Sequence, residues 1–391
     1  MRIKNQDFLK RENQSLVLEM ILNHGPISRA EISKRTRMSP TSASRIVATL
    51  LEEDLIREIN ILSEGIGRKA THFVPNEHSV LSIGVELNQN DLRIGFMNFV
   101  GKLIVLEHLK FASTDPHEIV GFITQRIQAL IQKENINADK IVGVCVGLPG
   151  LVQHETGEVK ISAQFSWKQV PLKKMLEEQL GFSVSVDNEM KLLALAEYNI
   201  DPQPEQETTI AMIGFGSGVG SALISNGQIY RGEGNFSGEI GHTIVDPFGI
   251  YCPCGNFGCL QTYIAEKFLL QEASKTVPIH TMEELYANYQ LGEKWAVKIL
   301  DKAIIYAAIT INNVVCMYNP DTVVLTGTLI DKYPKIKEQI IQKCKDQIWA
   351  PVTESFRIRT TKTGVHGVVI GAAMGIQHDF IKNIHFNKET K

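Results

Sequence analysis

The stretch GEIGHTIVDPFGIYCPCGNFGCLQ, residues 238–261, decides how the chain is read. Three of the six cysteines, Cys252, Cys254 and Cys259, fall within eight residues here, and His242 lies ten residues ahead of the first. Three thiols and one imidazole complete a tetrahedral donor set for zinc. Gly255 and Gly258 give the backbone the freedom to turn Cys254 and Cys259 back onto one ion. The expected ligands are therefore His242, Cys252, Cys254 and Cys259, with Zn2+ as the cofactor. A metal-free cysteine-rich turn or a disulfide is the alternative. A secreted disulfide framework fits poorly, because nothing else in the chain has a secretory character.

GEIGH followed by CPCGNFGC resembles the signature of the ROK family, a group of sugar kinases and sugar-responsive repressors. The resemblance implies that the zinc loop, 242–259, braces a sugar pocket in which Glu239 and His242 bind hydroxyls. His242 can serve both sides, with one ring nitrogen on zinc and the other toward the ligand. The family usually carries Glu two residues after the last cysteine, and this chain has Gln261. An amide donates as well as accepts, so it selects a different hydroxyl pattern.

Length and composition agree with this reading. A chain of 391 residues, 43% hydrophobic and 21% charged, reads as a globular protein of two or three domains. Net charge is -3, but residues 1–78 hold 12 Lys+Arg against 10 Asp+Glu and the remainder 28 against 33. The basic excess therefore sits at the N-terminal end. MRIKNQDFLK lacks the apolar core of a signal peptide. The longest apolar run, Ile141–Val152, is broken by Pro149 and glycines, so no membrane partner is expected. Cys145, Cys316 and Cys344 sit in apolar or helical contexts, as reduced thiols of a cytoplasmic protein do.

Residues 1–76 read as a winged helix-turn-helix. Leu16, Val17, Met20 and Ile21 make an apolar stripe that ends at His24-Gly25-Pro26. Ser28 and Glu31 form a capping box for a second helix, and Ser39-Pro40 opens a third. The third helix buries Ala43, Ile46, Val47, Leu50 and Leu51 and presents Thr41, Ser42, Ser44 and Arg45, residue types that approach base edges and phosphates. Two strand patterns flank the loop SEGIGRKA, whose Arg68 and Lys69 would contact DNA from a wing. The alternative is a small helical protein-interaction domain. The segment also resembles the N-terminal domain of ROK repressors, most closely the xylose repressors of Gram-positive bacteria, which implies a carbohydrate effector.

Residues 77–391 then correspond to a ROK sugar-binding domain of the two-lobed actin-like ATPase (ribonuclease H-like) α/β fold, with lobes at about 79–190 and about 191–378. In ROK kinases the first strand carries Asp-x-Gly-Gly-Thr against the ATP phosphates. Here Glu86, Leu87, Asn88, Gln89 and Asn90 stand at those positions, and side chains replace the bare backbone that a phosphate needs. Glu189 stands where the kinases have their general-base Asp. One extra methylene displaces the base by about 1 Å, which costs on the order of 10²-fold in rate. No catalytic residue is therefore expected.

The resemblance makes Asn188, Glu189 and Gln164 sugar contacts beside Glu239, His242 and Gln261, with Trp167 as one wall. Asn188 and Glu189 also read as a capped helix start. The expected partners are a monosaccharide between the lobes, operator DNA with an inverted repeat, and a second copy of the chain in a dimer or higher oligomer. A sugar kinase with an appended DNA-binding domain and a repressor controlled by a protein partner are the competing readings.

Overall fold

The computed structural model describes residues 6–60, 71–200 and 208–384, and the chain divides into two compact units. The first comprises the chain through Gly150, His154–Asp187, and everything from Val368 onward; the second comprises Leu151–Gln153 and Asn188–Gly367.

The first unit opens with α1 (Gln6–His24), β1 (Ile27–Ser28), α2 (Arg29–Thr36), α3 (Pro40–Glu52), β2 (Ile56–Asn60) and β3 (Thr71–Pro75). The local signals act as expected. Ser28 Oγ accepts from the Glu31 N–H at 3.3 Å, and the Glu31 carboxylate accepts from the Ser28 N–H at 3.1 Å. Arg37, at φ 58°, ends α2 in the left-handed region, and Ser39 caps α3 by accepting from Ser42 N–H at 3.1 Å. The strands form a sheet of order β1-β3-β2. Three helices and this small sheet make a winged helix. Arg68 and Lys69 lie outside the described residues. Leu16, read as part of the buried stripe, is exposed, and Leu18 takes its place in the core with Val17 and Ile21.

The unit continues with β4 (Leu81–Leu87), β5 (Asp91–Asn98), β6 (Leu103–Lys110), α4 (Pro116–Lys133) and β7 (Ile141–Leu148). After β8 (Leu151–Gln153) come β9 (Glu158–Ser162), β10 (Trp167–Val170), α5 (Leu172–Leu180) and β11 (Val184–Asn188). The main sheet has the order β11-β7-β4-β5-β6.

The second unit holds α6 (Glu189–Asn199), β12 (Thr209–Phe215), β13 (Val219–Ser225), β14 (Gln228–Ile229), α7 (Gln261–Ile264), α8 (Glu266–Ala273), α9 (Met282–Gln290) and α10 (Lys294–Tyr318). It ends with β15 (Thr322–Thr326), α11 (Thr328–Asp331), α12 (Pro334–Gln347) and β16 (Arg357–Thr360). Its sheet order, β14-β13-β12-β15-β16, repeats that of the first unit strand for strand. In both, an antiparallel meander of three strands precedes a fourth strand that pairs parallel with the first. This duplicated topology is the expected actin-like fold.

The last helix, α13 (Gly367–Lys382), corrects the expected extent of the second lobe to residue 378: from Val368 it belongs to the first unit. Glycines make this possible. A Cβ on Gly84 of β4 would lie 2.0 Å from Val369 O, and one on Gly95 of β5 would lie 2.5 Å from Val369 Cγ1. The far end of α13 enters the winged-helix core, where Ile381 and Ile384 pack with Val17, Leu18 and Ile21, and Ser15 Oγ donates to Ile381 O at 2.6 Å.

Among the described residues one helix, α10, is long and apolar enough to cross a membrane by length and composition. Reading for uninterrupted runs passed over it, because Lys298, Asp301 and Lys302 punctuate its first half. Its buried face, including Leu300, Ala307 and Ile311, packs into the core of the second unit.

Glu197 fastens α6 within that unit. Its side chain is fully buried, pairs with Arg359, and accepts from Lys362 N–H at 2.7 Å, Thr363 N–H at 2.8 Å and Thr363 Oγ1 at 2.7 Å. Burial alone raises its pKa, but the hydrogen bonds from Arg359 and Thr363 outweigh burial and hold it below the usual value of 4.5. Because the folded-state value is depressed, the stabilisation is present in full above the unfolded pKa and is lost as pH falls through the folded value. Urea unfolding monitored from pH 7 to pH 3 should therefore show stability falling across the acid range, with a shallower fall in Glu197→Gln. Glu197→Ala should cost about 3–5 kcal/mol at pH 7, the cost of stripping one partner from a buried ion pair.

Candidate functional site

The loop 238–261 is set by close backbone packing on β13. A Cβ on Gly238 would lie 2.0 Å from Ser221 O, and one on Gly241 would lie 2.2 Å from Val219 O. Ser221 N–H donates to Gly238 O at 2.8 Å, so the loop runs hard against the strand. Glu239 and His242 are thereby fixed beside the β12–β13 hairpin, whose glycine-rich turn closes through Gly216 N–H to Gly218 O at 3.0 Å.

Further along, Val245 N–H donates to Gly258 O at 2.9 Å and Gly258 N–H to Ile250 O at 2.8 Å. Gly255 and Gly258 have φ of 101° and 67°, the left-handed geometry that the loop was expected to need. The result brings His242, Cys252, Cys254 and Cys259 together, with their donor atoms all within 4.8 Å of one another. Cys254 and Cys259 sulfurs are 3.6 Å apart, and His242 Nδ1 is 3.8 Å from Cys252 Sγ. Donors around one tetrahedral zinc are separated by roughly 3.5–3.8 Å, given Zn–S and Zn–N bonds of about 2.3 and 2.0 Å. The residues thus fit a single ion. Burial lowers the His242 pKa, which keeps the imidazole neutral and its lone pair available. Without a metal, burial and the neighbouring thiols push Cys259 up to about 12; a bound cation offsets this by taking the thiolate. Nδ1 faces the thiols, so Nε2 is the nitrogen left for another partner.

The start of α6 packs on the same hairpin, with the Met190 side chain 3.1 Å from the Cβ position of Gly214. Asn188 is the N-cap: its Oδ1 accepts from Met190 N–H at 2.9 Å and Lys191 N–H at 3.4 Å, while its Nδ2 donates to Glu189 Oε2 at 3.1 Å. The capped-helix reading of these two residues therefore holds, and both remain half-buried.

Sequence reasoning missed the groups that join α6 to the loop. Lys191 is buried, and its Nζ donates to Asn235 O at 2.5 Å. Asn235 in turn accepts from Arg231 at 2.8 Å and donates to Val152 O at 2.9 Å. The protein packed around Glu239 raises its carboxyl pKa, and the Lys191 charge opposes that rise. The available signal was a lysine in the first turn of α6, directly ahead of the apolar run LLALA.

The remaining predicted residues fall as follows. Gln261 is half-buried, and its Nε2 lies 3.0 Å from Cys252 Sγ. Gln164 is half-buried in the first unit after β9. Trp167 is a packing residue: it is buried, stacks on Phe165, and donates to Thr114 O at 2.7 Å. In the β4–β5 turn, Glu86 pairs with Arg93 at 2.8 Å and accepts from Asn88 Nδ2 at 2.8 Å. On α3, Thr41 and Arg45 are exposed, and Ser42 and Ser44 are half-buried; α2 and its end add exposed Lys34, Arg35 and Arg37, which sequence reasoning had not singled out.

Comparison with known proteins agrees with both halves. The ROK family profile matches residues 82–378, and a MarR family profile matches residues 9–60. The chain is 26% identical over 385 residues to the xylose repressor of Bacillus spizizenii, covering 98% of this chain and 100% of that protein. It is 28% identical over 353 residues to the DNA-binding transcriptional dual regulator NagC of Escherichia coli, covering 88% and 86% respectively. Among solved structures, a ROK family transcriptional regulator homologous to the E. coli MLC protein superposes with a TM-score of 0.82 at 24% identity, covering 96% of this chain and 98% of that one. A ROK hexokinase from Thermus thermophilus gives 0.66 at 22% identity, covering 75% and 97%. These last two likenesses concern the fold.

The donor set predicts about one divalent metal per chain. Elemental analysis of protein purified without chelator should find it, and Cys259→Ser should lose most of it. Chelation should lower the thermal midpoint by several degrees, corresponding to at least ~1–2 kcal/mol, and raise exchange of the 242–259 amides.

Proposed function

Since the chain belongs to the ROK family, we propose that it is a sugar-responsive DNA-binding transcriptional repressor of carbohydrate-utilisation genes. The observation that carries this reading is the joining, in one chain, of a winged helix to a ROK unit, matched end to end by repressors. The winged helix supplies Thr41, Ser42, Ser44 and Arg45 to the DNA, and Arg68 and Lys69 are proposed as further DNA contacts. Two copies on an inverted repeat fit the usual geometry of such domains, with half-sites about one helical turn or a multiple apart.

The sugar is held by Asn188, Glu189, Glu239 and His242. Carboxylates and a neutral imidazole suit hydroxyl groups, because each can accept a hydrogen bond from them. Zinc on His242, Cys252, Cys254 and Cys259 fixes the loop that presents Glu239, and so supports the ligand site structurally. No phosphoryl transfer is proposed. Side chains at Asn88, Gln89 and Asn90 and the Glu86–Arg93 pair occupy a turn where a kinase needs open backbone amides. Glu189 replaces the general-base Asp.

A sugar controls DNA binding only if it binds one state better than the other, and about 1–3 kcal/mol of such coupling suffices for a switch. Fluorescence anisotropy on the chain's upstream intergenic DNA, titrated with xylose, glucose, N-acetylglucosamine and their phosphates, should show one sugar changing the affinity at least about 5-fold. Arg45→Ala should weaken operator binding about 10-fold, within the ~1–3 kcal/mol range of a single DNA contact. Binding unaffected by every sugar would favour control by a protein partner.

The extra methylene of Glu189 occupies space that a hexose hydroxymethyl needs, which favours a pentose such as xylose. Calorimetry on Glu189→Asp should shift the xylose-to-glucose affinity ratio toward glucose by about 10-fold, the effect of one methylene-sized change in a pocket. An unchanged ratio would remove the pentose reading.

A further inference from the structure

We propose that Gln261 is a positioning residue of the metal centre, donating its amide N–H to the Cys252 thiolate. The inference rests on the zinc reading above. The observations are the 3.0 Å separation of Gln261 Nε2 from Cys252 Sγ and the place of Gln261 in the first turn of α7, two residues after Cys259. The sulfur is buried, as is that of Cys259. Three thiolates and a neutral imidazole around a divalent ion leave the cluster with a net charge of about -1. Cys254 is exposed, but the buried Cys252 sulfur needs a protein donor, because little water reaches it. A thiolate accepts only, so the nitrogen end of the amide is the end that faces it.

The same geometry explains why an amide suits this chain. A carboxylate held 3 Å from Cys252 Sγ would set a second anion against an already anionic cluster; it must turn away or take up a proton. Gln261 meets the cluster without repulsion. Its commitment to the sulfur leaves only the carbonyl Oε1 for any other contact, and the sugar site loses a charged acceptor that a Glu at this position would supply. Gln261 therefore belongs to the metal side of the loop, and ligand recognition falls to Glu239, His242 and the start of α6.

The test uses the full-length protein loaded with Co2+ in place of zinc. Affinity is read by competition with a chromophoric chelator, and the thiolate-to-cobalt charge-transfer band is read by absorption. Gln261→Leu preserves bulk and removes the donor; Gln261→Glu adds the charge. Both should lower metal affinity, Gln261→Glu more, by about 10–100-fold, and both should shift the charge-transfer band. Wild-type affinity and an unshifted band in both variants would overturn the proposal. Weakened affinity with an unshifted band would also overturn it, since a residue that merely packs the loop would behave so. Failure of the wild-type protein to bind Co2+ or Zn2+ would overturn the metal reading itself, and the proposal with it.

Discussion

The second unit depends on the approach of the 238–242 backbone to β13. At Gly238 and Gly241 the strand carbonyls stand where a Cβ would be, so only glycine permits the contact. Everything proposed for the site follows from that seam. It sets Glu239 beside the start of α6, turns His242 Nδ1 toward the thiols, and fixes where the cysteine loop begins. A side chain at either glycine would push the loop off the strand and separate the residues that the chemistry needs together. The tight backbone contact and the His/Cys donor cluster lie towards the two ends of one loop, and a metal bound there would leave the segment between them little freedom.

Rigidity here has a counterpart elsewhere in the chain. Within the second unit, Glu197 binds α6 to the Arg359–Thr363 segment. That segment leads into α13, and α13 ends inside the winged-helix core beside Ser15. The DNA-binding domain is consequently not a tethered module. It shares a hydrophobic core with the last helix of the chain, so its stability and that of the first unit are linked.

Local signals were legible in the sequence and long-range ones were not. The Ser28–Glu31 capping box and the Ser39–Pro40 helix start act within four residues, and each formed as read. The grouping of His242, Cys252, Cys254 and Cys259 was equally legible, because cysteine spacing encodes a local loop. The placement of α13 was not, since it depends on Gly84 and Gly95 meeting a helix nearly three hundred residues later. Trp167 looked like a pocket wall, but its direction is set by Phe165 and Thr114 O, which spacing does not encode. The same holds for Gln261, whose partner is decided by how the cysteine loop folds back. The repeated strand order of the two units is invisible in the residues, because topology is preserved by burial pattern and not by identity.

The central claim is that sugar and DNA binding are coupled through one folded chain, and thermodynamic reciprocity tests it most directly. Sugar affinity should be measured by titration calorimetry on the free protein and on the protein saturated with operator DNA. The account predicts that DNA changes the sugar affinity by the same factor as the sugar changes the DNA affinity, at least about 5-fold. Identical sugar affinities with and without DNA would contradict it, leaving two activities in one chain without a switch between them.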